Sequence, residues 1–448
     1  MALSSFRFSR KASDSADRSQ ARTLYNAGTL FSSWRRYAKA LECYEGALEA
    51  DPGHASALYG KGCTLLALHR EAEALSCFER ALQLQPEFPD ALGGRASALA
   101  ALNRDLEAIT CWEQLLALEP DRVDANFGRG ISLLTMGNLP GGFRGFEYRD
   151  RLPGAKKNAP RLATPRWSGE ESLAGKRILL YPDGGLGDGI QMARYVPLLA
   201  ERGARVILRV PDKLCSLFGG IPSVDRVIAD YARIPAHDFH GSMMSLPLLL
   251  GTTIDTIPGP CLRADGRRVE AWAQRMGPRR RPRIGIAWAG NKRHRLYNER
   301  RSIALEVLRP LGELDCELIS LQRPVPRDDR EALRAMPWLN RLGETLEDFS
   351  EIAAAIENLD LVIGVDSAIA HLAASLGKPT WVLLCHRPDW RWQTVGTDSP
   401  WYPAARLFRQ TTPGDWPGVI AEVKTAWVQA QSAGAEEPSE LCPAARPK

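Results

Sequence analysis

A chain of 448 residues, 44% hydrophobic and 25% charged, is long enough for two to four domains and has the balance of a globular protein, which excludes a fibrous or fully disordered chain. The formal net charge of +5, from 58 Lys+Arg against 53 Asp+Glu, is small for this length and gives no ground for a nucleic-acid partner. The longest apolar run, Leu246 to Leu250, is too short to span a bilayer, so no transmembrane segment is expected. Nine cysteines, an odd number without a CxxC pair, read as free thiols in a reducing compartment. Residues 1–20 are Ser/Arg-rich, lack an apolar signal core and read as a disordered tail on a cytoplasmic protein.

Residues 21–152 repeat. Pro52, Pro86 and Pro120 stand 34 apart, and the surrounding positions keep step. Leu24 maps to Leu58, Leu92 and Asn126; Gly28 to Gly62, Ala96 and Gly130; Ala40 to Ala74, Ala108 and Gly142; Tyr44 to Phe78, Trp112 and Phe146. Small residues let paired helices approach, a large aromatic fills the gap toward the next repeat, and proline stops the second helix. Three repeats are complete. The fourth begins at Val123 and degrades after Leu139-Pro140-Gly141-Gly142, so its second helix is expected to be altered into a cap.

Residues 153–175, with Pro153, Gly154, Pro160, Pro165 and Gly169, have linker composition, and Trp167 is expected to anchor them. From 176 the pattern becomes strand, Gly-rich turn, helix, strand. Strands are expected at Arg177–Tyr181, Arg205–Val210 and around Val227, with a helix from Ile190 to about Arg202. A second series over 279–431 places strands at Arg283–Trp288, Glu317–Leu321, Leu361–Val365 and Thr380–Leu384, and helices near 303–311, 345–358 and 368–376. The fold class is thus α plus α/β: an α-solenoid followed by two doubly wound, Rossmann-like domains, 176–278 and 279–431, and a disordered tail over 432–448.

In open α/β sheets ligands sit beyond the carboxyl ends of the strands, which selects four loops. Gly184-Gly185-Leu186-Gly187-Asp188-Gly189 is neither a dinucleotide fingerprint nor a Walker loop. It offers close backbone approach and one carboxylate, Asp188, at a helix start, where a cap and a catalytic group read alike. The loop Gly290 to Ser302 supplies Asn291, Arg301 and Ser302, which can meet a diphosphate or simply be a solvated basic loop. Asp366-Ser367-Ala368-Ile369-Ala370-His371 begins where a strand ends: Ser367 and the Ala368 amide can hold phosphate, Asp366 can accept from sugar hydroxyls, and His371 lies one turn in. The fourth loop runs from Cys385 to Trp392. Trp288, Trp390 and Trp392 read equally as pocket walls and as core.

Gly185-Leu186-Gly187-Asp188-Gly189-Ile190-Gln191, Gly285 to Asn291, Arg301-Ser302, Ser320-Leu321-Gln322 and Leu359 to Ser367 with His371 together resemble the heptosyltransferase-like glycosyltransferases, closest to bacterial proteins that carry tetratricopeptide repeats before that domain. Pro388-Asp389-Trp390-Arg391-Trp392 fits the same group. The resemblance covers residues 21 to 428. It implies a GT-B architecture, a nucleotide-sugar donor as substrate, no cofactor and no metal. It puts Asp188 forward as general base, and Asn291, Arg301, Ser302, Gln322, Asp366, Ser367, Ala368 and His371 as the donor-binding set. Gly185, Gly187 and Gln191 border the acceptor side. The acceptor is expected to be a hydroxyl of a protein or surface glycan, and the repeats are expected to bind a partner or that acceptor. Two departures stand out: Asp183-Gly184 occupies the place of a common Glu-Gln pair, and Ser367 that of a commoner threonine. The alternative is a non-catalytic repeat scaffold with a degenerate nucleotide-sugar domain; an oxidoreductase is disfavoured because the dinucleotide fingerprint is missing.

Overall fold

The computed structural model describes residues 2–153, 162–229, 232–290 and 300–432. It divides into two compact units, Met1–Ala155 and Lys156–Lys448. Among the described residues no helix is long and apolar enough to cross a membrane. The expected tail 432–448 lies outside the described residues, apart from Ser432, which ends the last helix.

The first unit is a run of helical hairpins: α1 (Ala2–Ser33), α2 (Tyr37–Ala50), α3 (Ala55–Ala67), α4 (Glu71–Leu84), α5 (Pro89–Ala101), α6 (Asp105–Leu118), α7 (Val123–Thr135) and α8 (Leu139–Phe146). The tight turn inside each hairpin places Arg35, His69, Asn103 and Gly137 at positive φ, from 57° to 84°, at the same step of the repeat. The segment 1–20, read as a tail, is helical from Ala2. No glycine or proline interrupts it before Gly28, so nothing in the chain stops α1 from extending.

The aromatics of α2 and α4 are each held between two glycines, and that of α6 lies on one. A Cβ on Gly28 would stand 2.8 Å from the Tyr44 ring and one on Gly60 2.6 Å; Gly62 and Gly94 flank Phe78 in the same way, and Gly128 lies on Trp112. Phe78 is fully buried and pinned from both sides, so it has nowhere to move. Gly94→Val is therefore expected to destabilise the solenoid by about 1–3 kcal/mol. Amide exchange across α3–α6 of the full chain checks this; unchanged protection would contradict it.

The fourth hairpin departs as expected. α8 has 8 residues against 14 in α2, α4 and α6, and it runs into a 3-10 turn, Glu147–Arg151. Gly130 and Gly145 meet backbone to backbone, while Phe146 packs on Phe127 and Phe143.

The second unit holds two sheets. β1 (Arg177–Tyr181), β2 (Arg205–Val210), β3 (Val224–Ala229) and β4 (Phe239–Ser242) form a parallel sheet in the order β3-β2-β1-β4. β5 (Arg283–Ala287), β6 (Glu317–Ser320), β7 (Leu339–Asn340), β8 (Leu361–Val365), β9 (Thr380–Leu384), β10 (Asp398–Ser399) and β11 (Tyr402–Arg409) form the other, in the order β10-β11-β9-β8-β5-β6-β7. All its neighbours are parallel except the β10 edge. Each order reverses beside its first strand, between β1 and β4 and between β5 and β8, so each sheet has a switch point where ligands bind.

Some local expectations need correction. The helix expected over 190–202 is three pieces, Leu186–Met192, Ala193–Tyr195 and Val196–Glu201, because Pro197 cannot continue the ladder of the preceding turn. The helix expected near 303–311 is a 3-10 helix, Leu305–Glu313, with Pro310 inside. Helix Gly266–Met276 falls within 176–278 but packs on helix Phe349–Glu357 beside the second sheet. There the Trp272 indole donates to Glu351 at 2.6 Å, and the Asn358 amide donates to the Val269 carbonyl at 3.0 Å. Trp167 is buried, and its backbone N–H bonds the His240 carbonyl at 2.9 Å, which ties the linker along β4.

Candidate active site

The loops after β1, β5, β8 and β9 carry the candidate residues. After β1 the chain turns sharply into helix Leu186–Met192. Asp188, at the third helical position, reaches back so that its Oδ2 accepts the Gly185 N–H. Asp188 thus caps from the third helical position, and the N-cap itself, expected at Asp188, is Gly185. A Cβ on Gly184 would collide with that same carboxylate oxygen. Gly184→Ala is accordingly expected to swing Asp188 out of position. Amide exchange at Gly185 and along Leu186–Met192 should rise by at least about tenfold. Exchange measured on the full chain checks this, and unchanged protection there would contradict it.

The other carboxylate oxygen faces the second sheet. Asp188 Oδ1 accepts from Arg391 Nη2 at 2.5 Å. Arg391 sits on the short turn Trp390–Trp392 after β9, 6% exposed, with its guanidinium 4.3 Å from the Trp390 ring centre. It also donates to Gln191 Oε1 at 2.5 Å and Asp389 Oδ1 at 2.7 Å. Burial works against its charge, but Asp389 and Asp188 outweigh burial, so its pKa stands above the ordinary guanidinium value.

Helix Ala368–Ser375 begins at the end of β8 with Ser367 as N-cap. The Ser367 hydroxyl is buried and has no partner among the described residues. The first helical amides, Ala368 among them, are left for a ligand by the geometry of any helix start. Asp366, 5% exposed, faces His371 Nε2 at 3.4 Å and Arg301 Nη1 at 3.9 Å. His371 Nδ1 lies 2.8 Å from the Tyr402 hydroxyl, and its ring stacks on Trp392 with centroids 5.2 Å apart. Burial pushes the Tyr402 phenol up to about 12, so it stays protonated and can donate to Nδ1, leaving Nε2 toward Asp366. Gly187 touches this cluster from the first sheet: a Cβ there would stand 2.7 Å from His371 Cδ2 and 3.5 Å from Ala368 Cα. Asp188 and the Asp366–His371 segment therefore stand next to each other.

After β5, Arg301 lies flat on Gly290, where a Cβ would stand 2.5 Å from its Nε. Ser302, expected to cap the following helix, instead accepts the Gly290 N–H at 3.1 Å and closes the base of the loop. The helix start is taken by Asp329, which accepts the Leu305 N–H at 3.0 Å. Gln322 spends its amide on backbone: Oε1 accepts from Trp288 and Ala289, and Nε2 donates to the Ala289 and Pro324 carbonyls. It shapes the loop from beneath. Gln191, placed with the acceptor loop, is fully buried between two arginines. Asn291 lies outside the described residues. Trp288 belongs to the core and donates to Asp329 at 2.8 Å; Trp390 packs edge-on against Trp401. Among the described residues no group of three or more His, Cys, Asp or Glu side chains is placed to hold a metal.

Sequence reasoning did not single out Arg194, Arg391 or Tyr402. Arg194 is 3% exposed and donates to the Trp401 carbonyl at 2.7 Å, crossing from the first sheet's helices to the second sheet. The signal available was a basic residue inside an otherwise apolar stretch, as in Met192-Ala193-Arg194-Tyr195.

Residues 333–401, which include Asp366, Ser367, His371 and Arg391, match the family described as glycosyltransferase family 9 (heptosyltransferase). Residues 21–54 and 55–88 each match the tetratricopeptide repeat. The chain carries N-terminal tetratricopeptide repeats and a C-terminal glycosyltransferase family 9 domain. The matched stretch holds the loops after β8 and β9 of the second sheet, while Asp188 and Arg301 precede it. Protein FlbA of Caulobacter vibrioides is 27% identical over 325 residues, 66% of this chain and 53% of that protein. The chain thus spans about half the length of the curated relative it matches. Similar solved structures include YrrB, a TPR protein with an unusual peptide-binding site, at 27% identity over 29% of this chain and 66% of that one, TM-score 0.26. The second TPR domain of human RPAP3 in complex with an HSP70 peptide is 25% identical over 26% of this chain and 97% of that one, TM-score 0.25.

Proposed function

We propose that the family 9 domain transfers a sugar from a nucleotide-sugar donor to an acceptor hydroxyl, without a metal ion, in a reducing, cytoplasmic compartment. The observation that supports the reading is the meeting of Gly187 and His371, which sets Asp188 beside the Asp366–Ser367 helix start. In this reading the nucleotide diphosphate lies on the second sheet's side. Arg301 and the amides at Ser367 and Ala368 take the negative charge that grows on the leaving group, as a metal would elsewhere. Asp366 accepts from donor sugar hydroxyls and is held by His371, which Tyr402 and Trp392 fix in turn.

Asp188 takes the proton of the acceptor hydroxyl as that oxygen attacks the anomeric carbon. The bond to the diphosphate oxygen breaks in the same displacement, so the anomeric configuration inverts. Each oxygen of Asp188 already accepts one hydrogen bond, and a carboxylate oxygen has a second lone pair to offer. The acceptor is a protein or a glycan, and the repeats hold a protein partner or that acceptor.

The test is incubation of the full chain with single nucleotide sugars and candidate acceptors, following nucleotide release and sugar incorporation. Release that depends on acceptor and survives a chelator supports the proposal. Release absent with every donor counts against it.

A further inference from the structure

Two buried arginines cross between the halves of the second unit in opposite directions. Arg194 starts beside the first sheet and ends on the Trp401 carbonyl. Arg391 starts beside the second sheet and ends on Asp188 and Gln191. Gln191 stands where they meet, its backbone carbonyl accepting from Arg194 Nε at 2.8 Å and its side-chain oxygen from Arg391 Nε. The two contacts are unequal in consequence. Arg194 grips main chain, whereas Arg391 grips a carboxylate, Asp188, on the first sheet's side.

Arg391 is also held in readiness from its own side. Asp389 accepts both the Arg391 backbone N–H at 3.1 Å and Nη1 at 2.7 Å, and the Trp390 face supports the guanidinium. A planar fork fixed in this way presents Nε and Nη2 in one direction, with little rotamer freedom left to lose. Asp188 Oδ2 is fixed by the Gly185 N–H, so adding Arg391 on Oδ1 sets both the position and the plane of the carboxylate. A separation of the two sheets would leave Asp188 its bond to Gly185 and Arg391 its bond to Asp389.

We infer that Arg391 is a positioning residue that makes the orientation of Asp188 depend on closure of the two sheets. The catalytic carboxylate is then correctly aimed only when the donor-side turn Trp390–Trp392 is docked on helix Leu186–Met192. The inference rests on the proposed role of Asp188, but its structural half stands without it. Donor engagement on the second sheet is thereby linked to the readiness of the base on the first, which disfavours proton transfer in an open cleft.

The test uses the full chain and two readouts. In the ligand-free protein, R391A is expected to raise amide exchange over Leu186–Met192 by about tenfold or more, with β8 and β9 unchanged. R391K keeps the charge but cannot bridge three acceptors in one plane, and should fall between the two. If R391A exchanges fast throughout the unit, R391K decides. With a donor in hand, both variants should lose kcat by about 10²-fold while the affinity for the matching nucleoside diphosphate stays within about threefold. Exchange over Leu186–Met192 that neither variant alters overturns the inference, as does a kcat that falls only in step with nucleotide affinity. A wild-type chain that turns over no donor sinks the proposed transferase instead, and the exchange result still decides whether Arg391 holds the helix.

Discussion

Asp188→Asn lowers the rate of transfer by about 10²–10⁴-fold and leaves nucleotide affinity within about threefold. The substitution keeps the shape of the side chain and one accepting oxygen, so the helix start at Gly185 can stay capped. What it removes is the capacity to take a proton, and one of two acceptors for the Gly185 N–H and the Arg391 guanidinium. Because the nucleotide is assigned to the opposite wall of the cleft, binding and chemistry separate in this variant. Steady-state kinetics beside calorimetry with the nucleoside diphosphate give the two numbers. A variant with the wild-type rate would remove Asp188 from the mechanism, and equal losses in rate and affinity would move it to the donor site.

Asp366→Ala has the complementary outcome. It weakens nucleotide-sugar binding by about 10–100-fold, and the rate falls with it at low donor concentration. The side chain is buried between His371 Nε2 and Arg301 Nη1, so removing it takes away a carboxylate that faces both. Arg301 then keeps its place on Gly290, but its neighbour on the same sheet no longer carries negative charge. The folded state also loses a buried carboxylate that faces a cation, so thermal midpoints are measured alongside. Asp366→Asn, which keeps the volume, separates donor recognition from packing. Binding as tight as wild type in both variants would show that the donor sugar is read elsewhere.

Much of this architecture is legible in the residues. The 34-residue step survives in the left-handed positions Arg35, His69, Asn103 and Gly137, which share no side-chain type and match only in their place. The strands with continuous apolar runs, Arg177–Tyr181, Arg205–Val210, Leu361–Val365 and Thr380–Leu384, stand where the pattern puts them. β4 and β11 escaped because Phe239-His240-Gly241-Ser242 has little apolar content and Tyr402–Arg409 carries Pro403 and interleaved arginines. Burial against neighbours and pairing with a parallel strand make both of them strands, and neither is visible in a local window.

The site was partly legible for a similar reason. Loops at strand ends select Asp188, Arg301, Asp366, Ser367 and His371 without any coordinates. Gln322 and Ser302 lie in the right loops, yet their polar atoms go to backbone N–H and carbonyl groups, which loop position does not reveal. Arg391 contacts a residue 203 positions away, and only the docking of the two sheets brings it there. Long-range pairs of this kind carry no periodic trace, so the geometry has to supply them.

The central claim is that the second sheet holds a nucleotide diphosphate at Arg301 and the Ser367 helix start. Calorimetry of the full chain against UDP-, GDP-, ADP-, CMP- and dTDP-sugars, with and without a chelator, tests it most directly. The account predicts one-to-one binding by one nucleotide family, unaffected by the chelator and weakened in Asp366→Ala. A folded chain that binds none of them would contradict it and leave a repeat scaffold whose glycosyltransferase-like part no longer takes a donor.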